Sequence, residues 1–310
     1  SFGQDPDSVT VGEMSSTSIG ACVEYTRPEN RELSMVFNFH HLKVDYASGR
    51  KWTLMDPDIP ALKRLLNDWS LGLQDGGGWN ALFWNNHDQP RAIDRFGDAD
   101  RFRYESATML ATAIHLMRGT PYVYMGEEIG MSDPGYTTIE DYVDIEARNA
   151  FAELVAAGHE ADEAFRIVHS KARDNARTPM QWDASASAGF TDGVPWLRPT
   201  NQDEVNVAHE EASGRILPYY RRLIALRKSV PVISGGAYEP YALDDPDIMA
   251  YVRHDEEHRL LVVCSFRGHE TGIDLPADFL GGEVLISNYP LRSLRERMSL
   301  RPYEALALLV

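Results

Sequence analysis

Cysteine is nearly absent from this chain. There are two in 310 residues, Cys22 and Cys264, far apart and in no metal-like spacing. That excludes a disulfide framework or a thiolate zinc site and fits a reducing, cytoplasmic compartment. No apolar run approaches the ~20 residues a membrane-spanning helix needs, and no signal peptide opens the chain at Ser1-Phe2-Gly3. Basic residues are scarce: 30 Lys and Arg against 47 Asp and Glu leave a net charge of −17. That balance argues against nucleic acid and anionic membranes as partners, while a local basic pocket for a small anion stays compatible with it. Internal repeats and low-complexity tracts are missing, and no ligand cluster suggests a metal or cofactor. What is present is 43% hydrophobic residues, including six Trp. At this length they suffice for one large domain plus a smaller one.

From residue 8 to about 126, short apolar runs alternate with amphipathic segments. Strands are expected at Ser8–Glu13, Met35–Phe39, Ala81–Trp84 and Pro121–Gly126. Helices are expected from the Ser15–Ser18 cap to Tyr25, over Pro57–Trp69 and over Glu105–Met117. Such alternation implies right-handed βα units on a parallel sheet. Residues 127 to about 212 break the rhythm as a long insertion, with helical pieces near 139–157 and 161–172. Connections of that length are usually functional. An amphipathic helix follows over Ser213–Lys228. After Pro231 the pattern turns to short strands between turn signals: Ala237–Leu243, Ile248–Arg253, Leu260–Ser265, Thr271–Asp274, Val284–Ser287 and Ala305–Val310. These predict an all-β sandwich. The division expected is therefore 1–230 for the α/β part and 231–310 for the sandwich.

Parallel α/β folds place their active sites at the C-terminal ends of strands. Three polar clusters fall there: Glu13; Asn38 with His40 and His41; and Asn85-Asn86-His87-Asp88, followed by Arg91. In the third, a carboxylate can grip vicinal hydroxyls, an imidazole can donate a hydrogen bond and a guanidinium can hold a charge in place. An isolated His-Asp pair better fits a strand end whose polar groups satisfy loop backbone. Glu13 alone fits equally a carboxylate answering the dipole of the following helix. Taken together, two carboxylates two strands apart fit the acid and stabiliser of a glycosidase site. The acid then needs a raised pKa to work near neutrality.

Longer strings narrow this. Val11-Gly12-Glu13 resembles the general-acid motif of the α-amylase superfamily of glycoside hydrolases, and Asn85-Asn86-His87-Asp88 resembles its later transition-state motif. Lys171-Ala172-Arg173-Asp174-Asn175-Ala176-Arg177-Thr178-Pro179-Met180-Gln181-Trp182 is similar to a signature of the α-glucosidase branch. So is the stretch from Gly119-Thr120-Pro121-Tyr122 to Gly126-Glu127-Glu128-Ile129-Gly130-Met131. The resemblance covers essentially the whole chain. It implies the second half of a (β/α)8 TIM barrel followed by an all-β sandwich domain. It further implies Glu13 as general acid/base, Asp88 as transition-state stabiliser and His87 as a donor to the same sugar. Arg91 and Arg173 match positions near the substrate, although Arg173 fits equally a brace for a carboxylate and the Arg91–Phe96 segment fits equally a structural turn. No cofactor is implied, and the expected partner is a small sugar or sugar phosphate.

The resemblance also implies a nucleophilic Asp in a Gly-Phe-Arg-x-Asp pattern, some tens of residues before the acid. Only twelve residues precede Glu13, and Asp5 and Asp7 lack that context. A retaining mechanism needs two carboxyls about 5–5.5 Å apart, so these 310 residues alone are expected to be inactive. For the substrate, His40-His41-Leu42-Lys43 resembles the trehalose-6-phosphate hydrolases of the branch, where neutral-substrate enzymes have a Glu-His-Met-Asp-like run. Lys43 and Lys51 are then phosphate ligands, unless both are solvated surface lysines. An oligo-1,6-glucosidase or other neutral α-glucosidase is the alternative enzyme. A family-derived carbohydrate-binding scaffold is the non-enzyme alternative.

Overall fold

In the computed structural model of the chain, residues 8–310 are described; Asp5 and Asp7 lie outside them. Strands β1 (Val11–Met14), β2 (Met35–Asn38), β3 (Asn80–Leu82) and β4 (Thr120–Pro121) pair in chain order, every pair parallel. Chain-order pairing follows from right-handed crossovers, each carrying its helix back across one face of the sheet. Helix α1 (Ile19–Thr26) starts at Ser18, whose Oγ accepts the Ala21 N–H at 3.3 Å. Helix α2 (Ile59–Asp75) starts at Asp58, whose Oδ1 accepts the Ala61 N–H at 2.8 Å, with Pro60 in its first turn. Helices α3 (Ala92–Phe96) and α4 (Arg103–His115) fill the third crossover. The fourth strand is shorter than expected. Pro121 brings no N–H to the ladder, and after Tyr122 donates to the Leu82 carbonyl at 2.8 Å the chain leaves the sheet.

The insertion holds α5 (Ile145–Ala156) and α6 (Ala161–His169), packed around Tyr136, Tyr142, Ala147 and Val168. The helix expected from 139 begins only at Ile145. Thr138 and Asp141 close a capping box around a single short turn, and Asp144 then caps α5 afresh. Helices α7 (Val207–Ala212), α8 (Ile216–Ser229) and α9 (Pro231–Gly235) lead out of the insertion.

Strands β5 (Ala237–Tyr241), β6 (Ile248–His254), β7 (Arg259–Ser265), β8 (Thr271–Asp274), β9 (Glu283–Ser287), β10 (Arg297–Leu300) and β11 (Ala305–Leu309) follow. Five form an antiparallel sheet in the order β5-β6-β7-β11-β9, and β8 pairs with β10. Strand β10 went unforeseen because Arg295, Glu296 and Arg297 mask a short alternation in which only Met298 and Leu300 turn inward. The large sheet is apolar on both faces. One face meets β8 and β10 around Phe279, Met298 and Leu300. The other joins α4 and α8 in the main core through Tyr251, Val262 and Cys264. Polar ties fix that second contact: Tyr251 donates to the Ala113 carbonyl at 2.9 Å, and buried Arg253 donates to the Leu116 carbonyl at 3.1 Å. Both cysteines are buried and free. Among the described residues no helix is long and apolar enough to cross a membrane, and no group of three or more His, Cys, Asp and Glu is placed to hold a metal.

Candidate active site

The C-terminal ends of the four parallel strands open into one cleft of about 200 Å³. That is below the ~300–1,000 Å³ of drug-sized pockets and suits a single sugar ring. Phe37, Phe39, Phe83 and Tyr122 line it, with ring centroids 4.7–5.1 Å apart in edge-on pairs. The polar groups on this floor are Glu13, Asn85, Asn86 and His87. Aromatic edges and faces against a few fixed polar groups suit a ring that is apolar on its C–H faces and hydroxylated at its rim.

Glu13 leaves β1 one residue before its end and is solvent-exposed. Asp88 sits beside His87, its Oδ2 at 3.5 Å from the imidazole Nε2. Asn86 shapes this turn by accepting the Asp88 N–H at 2.8 Å. Two guanidiniums then close on the Asp88 carboxylate: Arg177 at 2.7 Å and Arg173 at 3.7 Å. Arg177 also donates to the His87 carbonyl at 2.7 Å, so one planar group fixes both residues of the pair.

Arg173 lies in the site largely as a brace. Its Nε and Nη2 clamp Asp144 at 2.8 and 2.7 Å, and its Nε lies 3.1 Å from Glu146. Burial pushes the Asp144 carboxyl up, but Arg173 and the Glu146 N–H outweigh it and hold that carboxyl below its usual range. The hydrogen bonds to Asp144 push the Arg173 pKa higher still. Lys51 joins the same network, 2.9 Å from Glu146 and 4.5 Å above the Trp52 ring. Lys43 turns elsewhere and donates to the Ser15 carbonyl at 3.1 Å, two residues past Glu13. The two lysines are therefore held by different elements.

Arg91 must be corrected. It was expected near the substrate, but it is 1% exposed and serves backbone. Its Nη1 donates to the Met125 carbonyl at 2.6 Å and its Nη2 to the Ala176 carbonyl at 3.4 Å. It pins the chain after β4 and the Arg173 segment beneath the cleft. The middle polar cluster also turns inward. Asn38 donates to Asn80 at 3.3 Å, His41 bonds the Phe83 carbonyl at 2.9 Å, and His40 packs on Trp69. Burial pushes the His41 ring down to about 4, so it is neutral and structural. Arg177, Asp144 and Glu146 were not foreseen. Arg177 sits in the quoted 171–182 string, but nothing local marks it as the arginine that meets Asp88, 89 residues away.

Comparison with known proteins identifies the family. The model of the α-amylase catalytic domain matches residues 1–236, and that of the α-amylase SusG C-terminal domain matches residues 248–306. The chain is 47% identical over 306 residues to trehalose-6-phosphate hydrolase of Bacillus subtilis (strain 168), covering 97% of this chain and 54% of that protein. It is 45% identical over 308 residues to oligo-1,6-glucosidase of Halalkalibacterium halodurans, covering 97% and 55%. The crystal structure of Bacillus licheniformis trehalose-6-phosphate hydrolase is matched with a TM-score of 0.94 at 46% identity, over 98% of this chain and 56% of that one. The chain thus spans about half the length of the curated relatives it matches. Its parallel sheet is the second half of a (β/α)8 barrel, and its C-terminal strands are the β-sandwich domain of the same proteins. The chain belongs to the α-amylase family.

Proposed function

We propose that this chain carries the acid and the transition-state stabiliser of a retaining α-glucosidase, and that the complete enzyme hydrolyses trehalose 6-phosphate to glucose and glucose 6-phosphate. The observation that carries the reading is the aromatic cleft lined by Glu13 and His87, with Asp88 beside His87 and clamped by Arg177. Glu13 protonates the glycosidic oxygen and later takes a proton from the attacking water. Asp88 accepts hydrogen bonds from sugar hydroxyls as positive charge develops on the ring. His87 donates from the same side. We further place the division between barrel and sandwich near residue 230, and the protein in the cytoplasm, which fits two free buried cysteines.

These residues supply the acid and stabiliser but no carboxylate in a nucleophile context. The 310-residue chain by itself is therefore expected to leave an activated aryl α-glucoside intact over hours. Release of aryl alcohol above the enzyme-free rate would contradict this.

Lys43 and Lys51 are the proposed phosphate ligands. A charge-assisted hydrogen bond is worth ~1.5–3 kcal/mol. In the complete enzyme, replacing either lysine by Ala should thus raise the KM for trehalose 6-phosphate by roughly 10- to 100-fold. The KM for a neutral α-glucoside should change less than about threefold. Equal changes on both substrates would favour an oligo-1,6-glucosidase. One contact supports that second reading: Glu146 already neutralises Lys51 at 2.9 Å, leaving less positive charge for a phosphate.

A further inference from the structure

A buried carboxyl lies directly beneath the sugar-facing loop, and none of the chemistry above uses it. Glu127 is 8% exposed and opens a short turn, Glu127–Ile129. Gly126 before it has φ 87°, and a Cβ there would collide with Met131, so the turn has one way to present Glu127. Glu127 Oε2 accepts from Asn85 Nδ2 at 2.5 Å, and Oε1 accepts from the Tyr220 hydroxyl at 3.0 Å. The Asn85 amide cannot flip without loss, because its Oδ1 accepts the Ala92 N–H at 2.6 Å. Asn85 therefore ties both ends of the 85–92 loop that carries Asn86, His87 and Asp88, and Glu127 is the post it is tied to. Among the described residues no lysine or arginine forms an ion pair with Glu127. The nearby Arg91 spends its Nη donors on carbonyls. A small cavity of about 20 Å³ adjoins the carboxyl, lined by Trp84, Asn85, Tyr220 and apolar side chains. It has room for about one water, so the carboxyl can change its hydrogen bonding without moving its neighbours.

We propose that Glu127 is a positioning residue for the Asn86-His87-Asp88 loop, holding it tightly through Asn85 when ionised and loosely when protonated. The inference rests on the reading of that loop as the sugar grip. An ionised acceptor makes hydrogen bonds roughly twice as strong as a neutral one, and both partners of Glu127 donate to it. Burial, with a smaller push from adjacent Glu128, raises the Glu127 carboxyl to about 7. The aromatic groups around it do not titrate there. His115, whose ring lies 5.4 Å from Tyr220, is pushed by burial down to about 4. Burial pushes Tyr220 far above its ordinary value, and Tyr124 above its own. Arg103 donates to the Gly130 carbonyl at 2.8 Å. Burial also raises Glu128, Asp94 (to about 6) and Asp133, the last accepting the Arg91 N–H at 2.7 Å at the end of the same loop, and these are the neighbours the test must separate.

The test is nuclear magnetic resonance on the complete enzyme labelled with ¹⁵N-asparagine and ¹⁵N-histidine, from pH 5.5 to 8.5. The Asn85 side-chain amide and the His87 backbone amide should titrate together, with a midpoint near 7. Glu127→Gln should abolish that step, and Glu128→Gln and Asp94→Asn should each keep it. Tyr220→Phe removes one donor to the carboxylate and should move the midpoint upward, which covers the case in which Glu127→Gln does not fold. In the complete enzyme, Glu127→Gln should remove the same midpoint from the pH profile of kcat/KM. A flat Asn85 signal, a step that survives Glu127→Gln, or a midpoint unmoved in Tyr220→Phe would each overturn the proposal. So would a step at Asn85 that does not reach His87. A full titration in a complete enzyme that cleaves no α-glucoside would instead overturn the functional reading and leave the tether standing.

Discussion

Glu13→Gln in the complete enzyme is expected to lower kcat/KM for a substrate with a sugar leaving group by roughly 10²–10⁴, the range of general acid catalysis. An alkoxide leaving group is strongly basic and needs a proton as the glycosidic bond breaks. An aryl leaving group with electron-withdrawing substituents needs little help. Its glycosylation step should fall far less, and deglycosylation, which needs Glu13 as base, should then become limiting. Azide needs no base, so it should restore turnover of the aryl substrate and yield a glucosyl azide of retained configuration. Glu13 is free to serve in this way because it stands exposed at the cleft wall, and no ion pair is formed with it among the described residues. Equal losses on sugar and aryl leaving groups, with no azide rescue, would show that Glu13 only shapes the cleft. Asp88→Asn should behave differently. It removes charge from the transition state itself, so both substrates should lose rate alike.

The sequence made strand tips legible because apolar runs ending in Glu13 and in Asn85–Asp88 need only local pattern to be read. The parallel sheet, the long insertion and most strands of the sandwich were equally visible from periodicity and turn residues. What it hid depends on distant partners. Arg91 follows the His-Asp pair by three residues, yet two backbone carbonyls draw it inward. Arg177 reaches Asp88 only because the insertion returns to the same strand tips. His40 and His41 share a tip with Asn38, but Trp69 and the Phe83 carbonyl claim them. Lys43 and Lys51 are eight residues apart in sequence, and their contacts are with different elements. Side-chain direction at a loop is set by which donors and acceptors the fold leaves unsatisfied, and single-sequence pattern carries none of that.

Asp45→Asn should destabilise the chain by about 3–5 kcal/mol at neutral pH, the typical cost of removing one partner from a buried ion pair. Asp45 is 2% exposed and meets two buried cations. Arg95 donates to it twice, at 2.7 and 3.1 Å, and Lys171 forms a second ion pair with it. Without the carboxylate, both cations remain buried with only carbonyl partners, such as the Leu42 carbonyl at 2.7 Å from Arg95. The sign of the pH dependence follows. Burial pushes the Asp45 carboxyl up, but Arg95 and Lys171 outweigh it and hold its folded pKa below the ordinary value of 3.8. Its contribution is then complete above about pH 4 and is lost as pH falls through the folded pKa. The gap between the native chain and Asp45→Asn in urea denaturation should be widest near pH 7 and shrink below pH 4. A loss under about 1 kcal/mol at pH 7, or a gap unchanged in acid, would refute this account. The network also bears on the site. Asp45 follows Lys43 by two residues, Arg95 lies on α3, and Lys171 precedes Arg173 by two. One buried carboxylate thus fixes the lysine-bearing loop, the helix after Asp88 and the segment that carries the two arginines. Replacing all three charges with apolar residues of similar volume should recover most of the stability, because the desolvation cost goes with the charges. It should not recover affinity for a phosphorylated substrate, because apolar packing does not set the direction of the loop that Asp45 holds.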